Sequence, residues 1–315
     1  MSTVTLDLAD ASLGWVGAGR MGSAMAGRLL SAGRGLTIFN RTRSKLEPLI
    51  AMGAKEARTV AELAAKDIVF VNVSSSDDLL AVTLGEDGLL TQQVAPSVIV
   101  DSSTVSAEAS AKVRARGVDR GCALLAAPVS GSPKVAASGR LTMSVSGPRG
   151  SFDLVAPLLH EIGAGATWVG DGELGRLVKL CHNLFLGAVI QSLVEVTILA
   201  EKGGVSRAAF LQFLNNSVLG STFTRYKSPA LVNLDYHATF TSTLLLKDLA
   251  LGLAAASDLD VPMPLASLVA EIVESLVHEG YGESDFAALI ALRARAAGIA
   301  IESEHADVPD GLGAI

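Results

Sequence analysis

Gly17, Gly19 and Gly22 form a Gly-x-Gly-x-x-Gly pattern within GWVGAGRMGSAMAGRLL, residues Gly14 to Leu30. Alone, the pattern is weak, because any glycine-rich turn can display it. Here the apolar run LGWV precedes it and SAMAGRLLSAG follows with helical spacing. That strand-turn-helix setting is what a dinucleotide cradle requires. In it Gly17 permits the tight turn, Gly19 lets backbone approach a pyrophosphate, and Gly22 lets helix and strand pack closely. Ala18, Arg20 and Met21 complete the turn, with phosphates expected where free N–H groups open the helix.

The second apolar run ends in LTIFNRTRSK. A site selective for NAD places Asp or Glu there to accept from the ribose hydroxyls. Asn40 stands in that place, followed by Arg41 and Thr42, with Arg43 and Lys45 close behind. Such a group can neutralise a 2′-phosphate that a carboxylate would repel, so NADP is the expected cofactor. A plain solvated basic loop is the alternative. Val73 and Ser74, at the end of IVFVNV, are further expected cofactor contacts.

Three other stretches hold groups suited to carbonyl chemistry. Gly175, Lys179 and Asn183 recur at i, i+4 and i+8, so they share one stripe of a helix, with Gly175 leaving space beside the lysine. A lone helical lysine is otherwise a solvated or snorkelling side chain. Asp101-Ser102-Ser103-Thr104 follows a strand-like run, where α/β sheets place ligand-binding loops, although serine and threonine also cap helices. In PVSGS, Ser130, Gly131 and Ser132 can turn N–H groups and hydroxyls toward a carboxylate, while Pro133 removes one donor. The five histidines are scattered, with no two at i,i+4, and no metal site is expected.

These residues need rigid elements to hold them. Between Leu13 and about Val169, β-rich runs (LGWV, LTIF, IVFVNV, VIVD, CALLAA, LTMSVSG, TWVG) alternate with helical stretches such as TVAELAAK. The alternation predicts a mostly parallel, doubly wound α/β domain of Rossmann type over 1–171. From Gly172 the texture becomes helical, opening with one helix of about 28 residues, roughly 42 Å at 1.5 Å per residue. An all-α domain joined through that helix is expected over 172–298, and a loose tail over 299–315. The apolar stretch Leu184 to Ala200 contains Gln191 and Glu195 and reads as a buried helix rather than a membrane span.

With 315 residues and a net charge of -7, the chain shows no basic excess suited to nucleic acid, and a small-molecule carboxylate is the expected partner. Half of the residues are hydrophobic and 18% are charged, which suits a homo-oligomer, dimer or tetramer. Two cysteines and an N-terminus unlike a secretory signal point to the cytoplasm and to no membrane association.

GAGRMG, VDSSTVSAEAS, APVSGSPKVAASGRLTMSVSG and GRLVKLCHN, in this order, together resemble the β-hydroxyacid dehydrogenase family, over about Leu13 to Leu292. The resemblance implies that Lys179 is the general acid on a carbonyl oxygen, with Asn183 beside it. It also implies that Ser103 and Thr104 lie by substrate and nicotinamide ribose. FTSTLLLKDLALG resembles the family's KDL helix, which assigns Lys247 to the cofactor, Asp248 to the site and Phe240 to the pocket border. Core packing is an equal reading of Phe240. His182 lies off the stripe and is left out. Most family members read PVSGG; Ser132-Pro133 departs from that and is closer to the glyoxylate/succinic semialdehyde reductase branch. The expected activity is NADPH-linked reduction of a small aldehyde acid, or the reverse oxidation. Two rivals stay open: C=N reduction as in imine reductases, which Lys179 argues against, and a noncatalytic dinucleotide-binding scaffold.

Overall fold

The computed structural model describes residue 8 and residues 10–313. The chain divides into two compact units, Met1–Lys179 and Leu180–Ile315. The division falls inside the long helix rather than before it at residue 172, because the first turns of that helix dock on the sheet.

The first unit alternates strand and helix. Its strands are β1 (Leu13–Val16), β2 (Leu36–Phe39), β3 (Lys55–Glu56), β4 (Ile68–Val71), β5 (Val98–Asp101), β6 (Ala123–Ala126), β7 (Val129–Ser130), β8 (Thr142–Ser146) and β9 (Gly165–Gly170). Its helices are α1 (Arg20–Ser31), α2 (Glu47–Ala51), α3 (Ser76–Leu84), α4 (Ala107–Asp119), α5 (Pro133–Ala137) and α6 (Arg149–Ile162). The strand order is β3-β2-β1-β4-β5-β6-β8-β7, with β9 beside β8. Pairing is parallel from β3 through β6, and β8 runs antiparallel to β6 and β7. β1, β4 and β5 are buried along their whole length, as strands covered on both faces must be. β2 and β4 flank β1, so the chain reverses its direction of winding there. The carboxyl ends of β1 and β4 therefore open the crevice where such sheets bind ligands. TVAELAAK, expected to be a helix, supplies only a 3₁₀ turn at Ala61–Leu63.

α7 (Leu174–Lys202) crosses the division as one helix of 29 residues. By length and composition it could cross a membrane, yet its residues Leu184, Ile190, Leu193, Val194 and Ile198 join the core of the second unit. That unit continues with α8 (Arg207–Asn216), α9 (Thr222–Asn233), α10 (Ser242–Asp258), α11 (Pro264–Leu276) and α12 (Leu289–Ala296). Residues 299–313 are not the loose tail expected from their glycines and Pro309. Ile299, Ile301, Ala306 and Val308 pack on the helical core. Glu304 accepts from Arg207 N at 2.7 Å and Ala208 N at 3.0 Å, engaging two of the donors that open α8. The buried Arg207 guanidinium also donates to the carbonyls of Val232 and Glu302.

Candidate active site

The crevice at β1 is built by backbone geometry. Gly17 has φ +98°, and a Cβ there would meet Asn72 O at 2.1 Å. Its N–H donates to Phe39 O at 2.9 Å, and its carbonyl accepts from Trp15 Nε1 at 2.8 Å. Trp15 itself stacks on Phe70 with ring centroids 5.3 Å apart. The turn is thus held from three strands. Gly22 is equally constrained, since its Cβ would lie 2.1 Å from Gly17 O.

Gly19 differs: nothing lies within 4 Å of the place its Cβ would take. It caps α1 without a side chain, and no acidic residue occupies the first helical turn. Open space in front of uncapped N–H groups fits a pyrophosphate. Gly19→Val should therefore leave the melting temperature within a few degrees while weakening dinucleotide binding at least about tenfold, the worth of one lost charge-assisted hydrogen bond. A fluorescence titration beside a thermal melt reads both. Unchanged affinity would show that the open space is not the cradle.

Asn40 does more than stand in for an acid. Its Oδ1 accepts from Ala18 N at 2.9 Å and its Nδ2 donates to Thr42 O at 2.8 Å, so it braces the glycine turn against the turn after β2. Arg41 faces solvent and meets Asp78 at 3.2 Å, while Arg43 pairs with Glu56 at 2.6 Å. Lys45 is exposed beside them, and Arg20 and Met21 begin α1 at the surface.

After β4 and β5 the loops interlock. Ser103, buried, accepts from Val73 N at 2.9 Å through its hydroxyl oxygen, which leaves the hydroxyl proton to donate. The cap of α4 is Ser106, whose hydroxyl accepts from Ala109 N, so Ser103 and Thr104 are not its capping residues. Ser74 is exposed at the crevice rim. Ser130 ends β7. Gly131 has φ +132°, and a Cβ would strike Val135 and Leu141 at 2.7 Å. Ser132 is buried and its hydroxyl accepts from Val135 N, capping α5. Its side chain is thus engaged locally, a role the expected carboxylate contact did not include.

The sequence reading missed Arg176 altogether. Its side chain is buried, with Nη2 2.5 Å from Asp101 Oδ2, Nη1 donating to Ser103 O at 2.8 Å, and Nε to Glu173 Oε2 at 3.0 Å. No motif marks it. Beside it Gly175 lets α7 close on the sheet, since a Cβ would sit 2.9 Å from Ser144 O and 3.0 Å from Ala126 O. Lys179, half-buried, follows one turn later.

In the helical unit, Asn183 is buried on α7 and its Nδ2 donates to Asp248 Oδ2 at 2.6 Å. His182 Nδ1 lies 2.9 Å from Asn183 Oδ1. His182 is therefore a partner of the stripe after all, through a neighbour that periodicity could not reveal. Lys247 Nζ lies 3.8 Å from Asp248 Oδ1. Phe240 is half-buried against the helical core, edge-on to Phe286 at 5.8 Å. Among the described residues no cluster of His, Cys, Asp or Glu could hold a metal ion.

Residues 12–170 match the NAD-binding domain of 6-phosphogluconate dehydrogenase, and residues 174–293 match the NAD-binding domain of NADP-dependent 3-hydroxyisobutyrate dehydrogenase. Glyoxylate/succinic semialdehyde reductase 2 of Arabidopsis thaliana is 30% identical over 90% of this chain and 80% of its own. An NAD-dependent L-serine dehydrogenase of Pseudomonas aeruginosa is 29% identical over 87% of this chain and 95% of its own. A 3-hydroxyisobutyrate dehydrogenase structure from Salmonella typhimurium superposes with a TM-score of 0.80 at 27% identity, covering 90% of this chain and 100% of that one.

Proposed function

The chain belongs to the β-hydroxyacid dehydrogenase family, oxidoreductases that work with a nicotinamide dinucleotide, and on that premise we propose that it reduces a small aldehyde acid with NADPH. Glyoxylate and succinic semialdehyde head the substrate class, in keeping with the name of the Arabidopsis relative. The observation that carries the reading is Lys179, half-buried on a helix that Gly175 seats against the same sheet whose β1 end opens on Gly19.

When bound, the reduced nicotinamide supplies the hydride. Gly19, Arg20 and Met21 would hold its pyrophosphate on the turn that Gly17 and Ala18 shape, their own N–H groups being engaged by Phe39 O and Asn40 Oδ1, and Arg41, Thr42 and Lys45 would hold the 2′-phosphate, with Asn40 bracing the turn. Lys179 Nζ gives its proton to the carbonyl oxygen as that oxygen gains charge, becomes a neutral amine, and is reprotonated from solvent. In the oxidation direction the neutral amine takes the hydroxyl proton. Ser103 donates through its hydroxyl, and Ser130 with the Gly131–Ser132 backbone orients the substrate carboxylate. Asp248 holds Asn183, and Asn183 keeps its place one turn beyond Lys179.

The reading extends to a cytoplasmic homo-oligomer. Cys122 is buried with its thiol pushed up by desolvation to about 12, Cys181 is exposed, and both are unlinked, which suits a reducing compartment. Phe185, Phe213, Val218 and Leu219 are exposed apolar side chains of the helical unit that a second copy would cover.

The test is consumption of NADPH, with NADH beside it, against glyoxylate, succinic semialdehyde, other short semialdehydes and a cyclic imine. Turnover of an aldehyde acid with NADPH is the expected result. Turnover of the imine alone, or of nothing, would overturn the substrate class, and equal efficiency with NADH would overturn the cofactor preference. Arg41→Ala should raise the KM for NADPH about tenfold and leave that for NADH unchanged, because only the former loses a charge-assisted bond.

A further inference from the structure

Arg176 and Asp101 are separated by 75 positions in the chain and meet in the interior of the sheet unit. Asp101 is fully buried at the end of β5, and its Oδ1 accepts from Ser103 N at 3.0 Å. Arg176 takes the carbonyl of the same residue, Ser103 O, at 2.8 Å. The ion pair therefore grips the Ser103 backbone from both sides, and with Ser103 O it also sets the plane of the peptide leading to Thr104.

The other end of the guanidinium belongs to α7. Arg176 stands three residues before Lys179, less than one turn, so whatever pins Arg176 sets the rotation of the helix where Lys179 leaves it. Glu173 strengthens the grip. It accepts from Arg176 Nε and from Arg114 Nη2 at 2.9 Å, and Arg114 also donates to Leu124 O and Gly172 O at 2.7 Å. Ser144 Oγ donates to Gly175 O at 2.9 Å, a further contact at the start of the helix.

We propose that Arg176 and Asp101 are a positioning pair that fixes Ser103 and Lys179 relative to one another during turnover. The inference rests on the reading of Ser103 and Lys179 as substrate-side residues. Buried ion pairs contribute little net stability compared with apolar packing of the same volume, so a three-bonded arginine at this place is better explained by the geometry it imposes. Arginine suits the task. Its planar fork directs three bonds at once in fixed directions, which the single ammonium of lysine would not.

The test uses the full chain with Arg176→Lys, Ser103→Ala and the double variant. Arg176→Lys keeps the charge and loses the fork. It should bind NADPH like the wild type and hold the KM for glyoxylate or succinic semialdehyde, whichever the wild type reduces faster, within about threefold. Its kcat should fall by about 10²-fold, the scale of a small misplacement of reacting groups. In the Ser103→Ala background the same change should cost less than about threefold more, because one of the two groups whose relative placement the pair sets is already gone. Multiplying losses would overturn the proposal.

Amide hydrogen exchange provides a readout that does not depend on activity. Exchange at 101–104 and 174–179 should quicken together in Arg176→Lys, with the rest of the sheet unchanged. Unaltered exchange at either segment would overturn the coupling. If the wild type reduced neither aldehyde, the functional reading would fail while exchange still judged the pair. Should Arg176→Lys fail to fold, Asp101→Asn is measured the same way, and collapse of both would make the pair a structural one.

Discussion

Lys179→Ala should bind NADPH nearly as the wild type does and turn over the aldehyde acid 10²–10⁴-fold more slowly, the usual range for loss of a general acid. The separation of the two effects follows from where the groups sit. The cradle proposed for the dinucleotide is the β1 turn with the start of α1, whereas Lys179 stands at the end of the sheet unit on α7. Lys179→Arg refines the result, because guanidinium retains charge and yet cannot give up a proton at neutral pH. It should fail as alanine fails, while a small alkyl amine added to Lys179→Ala should restore part of the rate. Loss of cofactor affinity in Lys179→Ala, or full activity in Lys179→Arg, would remove Lys179 from proton transfer.

The second large effect is on stability. Lys227 and Asp285 are both buried in the helical unit and meet at 2.6 Å, with the ammonium 4.1 Å from the centre of the Phe286 ring. Asp285 also accepts from Thr239 N at 3.0 Å, Thr239 Oγ1 at 2.7 Å, Phe240 N at 3.3 Å and Ala287 N at 3.0 Å. The carboxylate thereby ties the loop that carries Phe240 to the turn before α12. Lys227→Met strands that charge in the interior. The cost should be about 3–5 kcal/mol, the usual penalty for removing one partner of a buried pair. In a domain of this size that lowers the melting temperature by roughly 10 °C.

Burial opposes both charges. It draws the Lys227 ammonium below its ordinary value, and Asp285 pulls it back only in part. Burial also pushes the Asp285 carboxyl up, but Lys227 and the surrounding donors outweigh it and hold the group below the ordinary carboxyl value. A carboxyl depressed on folding lends stability that is complete above its unfolded value, about 4, and is lost as pH falls through the folded value. Thermal melts of the wild type should therefore decline below about pH 4, and part of that decline should vanish in Asp285→Asn. A melting temperature unchanged in Lys227→Met, or an acid decline identical in Asp285→Asn, would show that the pair does not hold the helical unit.

The elements that could be read in the sequence were those specified by neighbours in the chain. LTIF and IVFV are strands because apolar β-formers recur without a polar face, and the 29 residues of α7 follow a helical period up to Gly203. Gly17 and Gly22 declare their turn because only glycine tolerates the conformation and the close approach found there. By the same local logic Lys179 and Asn183 fall on one stripe. Where the local signal is short or misleading, the reading strayed. β3 has only two residues, TVAELAAK yields a single 3₁₀ turn, and the polar segment after Ile299 is ordered by Arg207 and Asn233, which belong to distant helices.

The sequence by itself thus determined the two textures of the chain, the β1 turn that can cradle a dinucleotide, and the helix that bears Lys179. Only the tertiary structure decided that Asn40 braces the glycine turn, that His182 and Asp248 hold Asn183, and that Arg176 and Asp101 clasp Ser103. The physical reason is that periodicity and glycine chemistry act between residues close in sequence. A buried polar group instead must find its hydrogen-bond partner wherever packing brings one, and no spacing along the chain records that meeting.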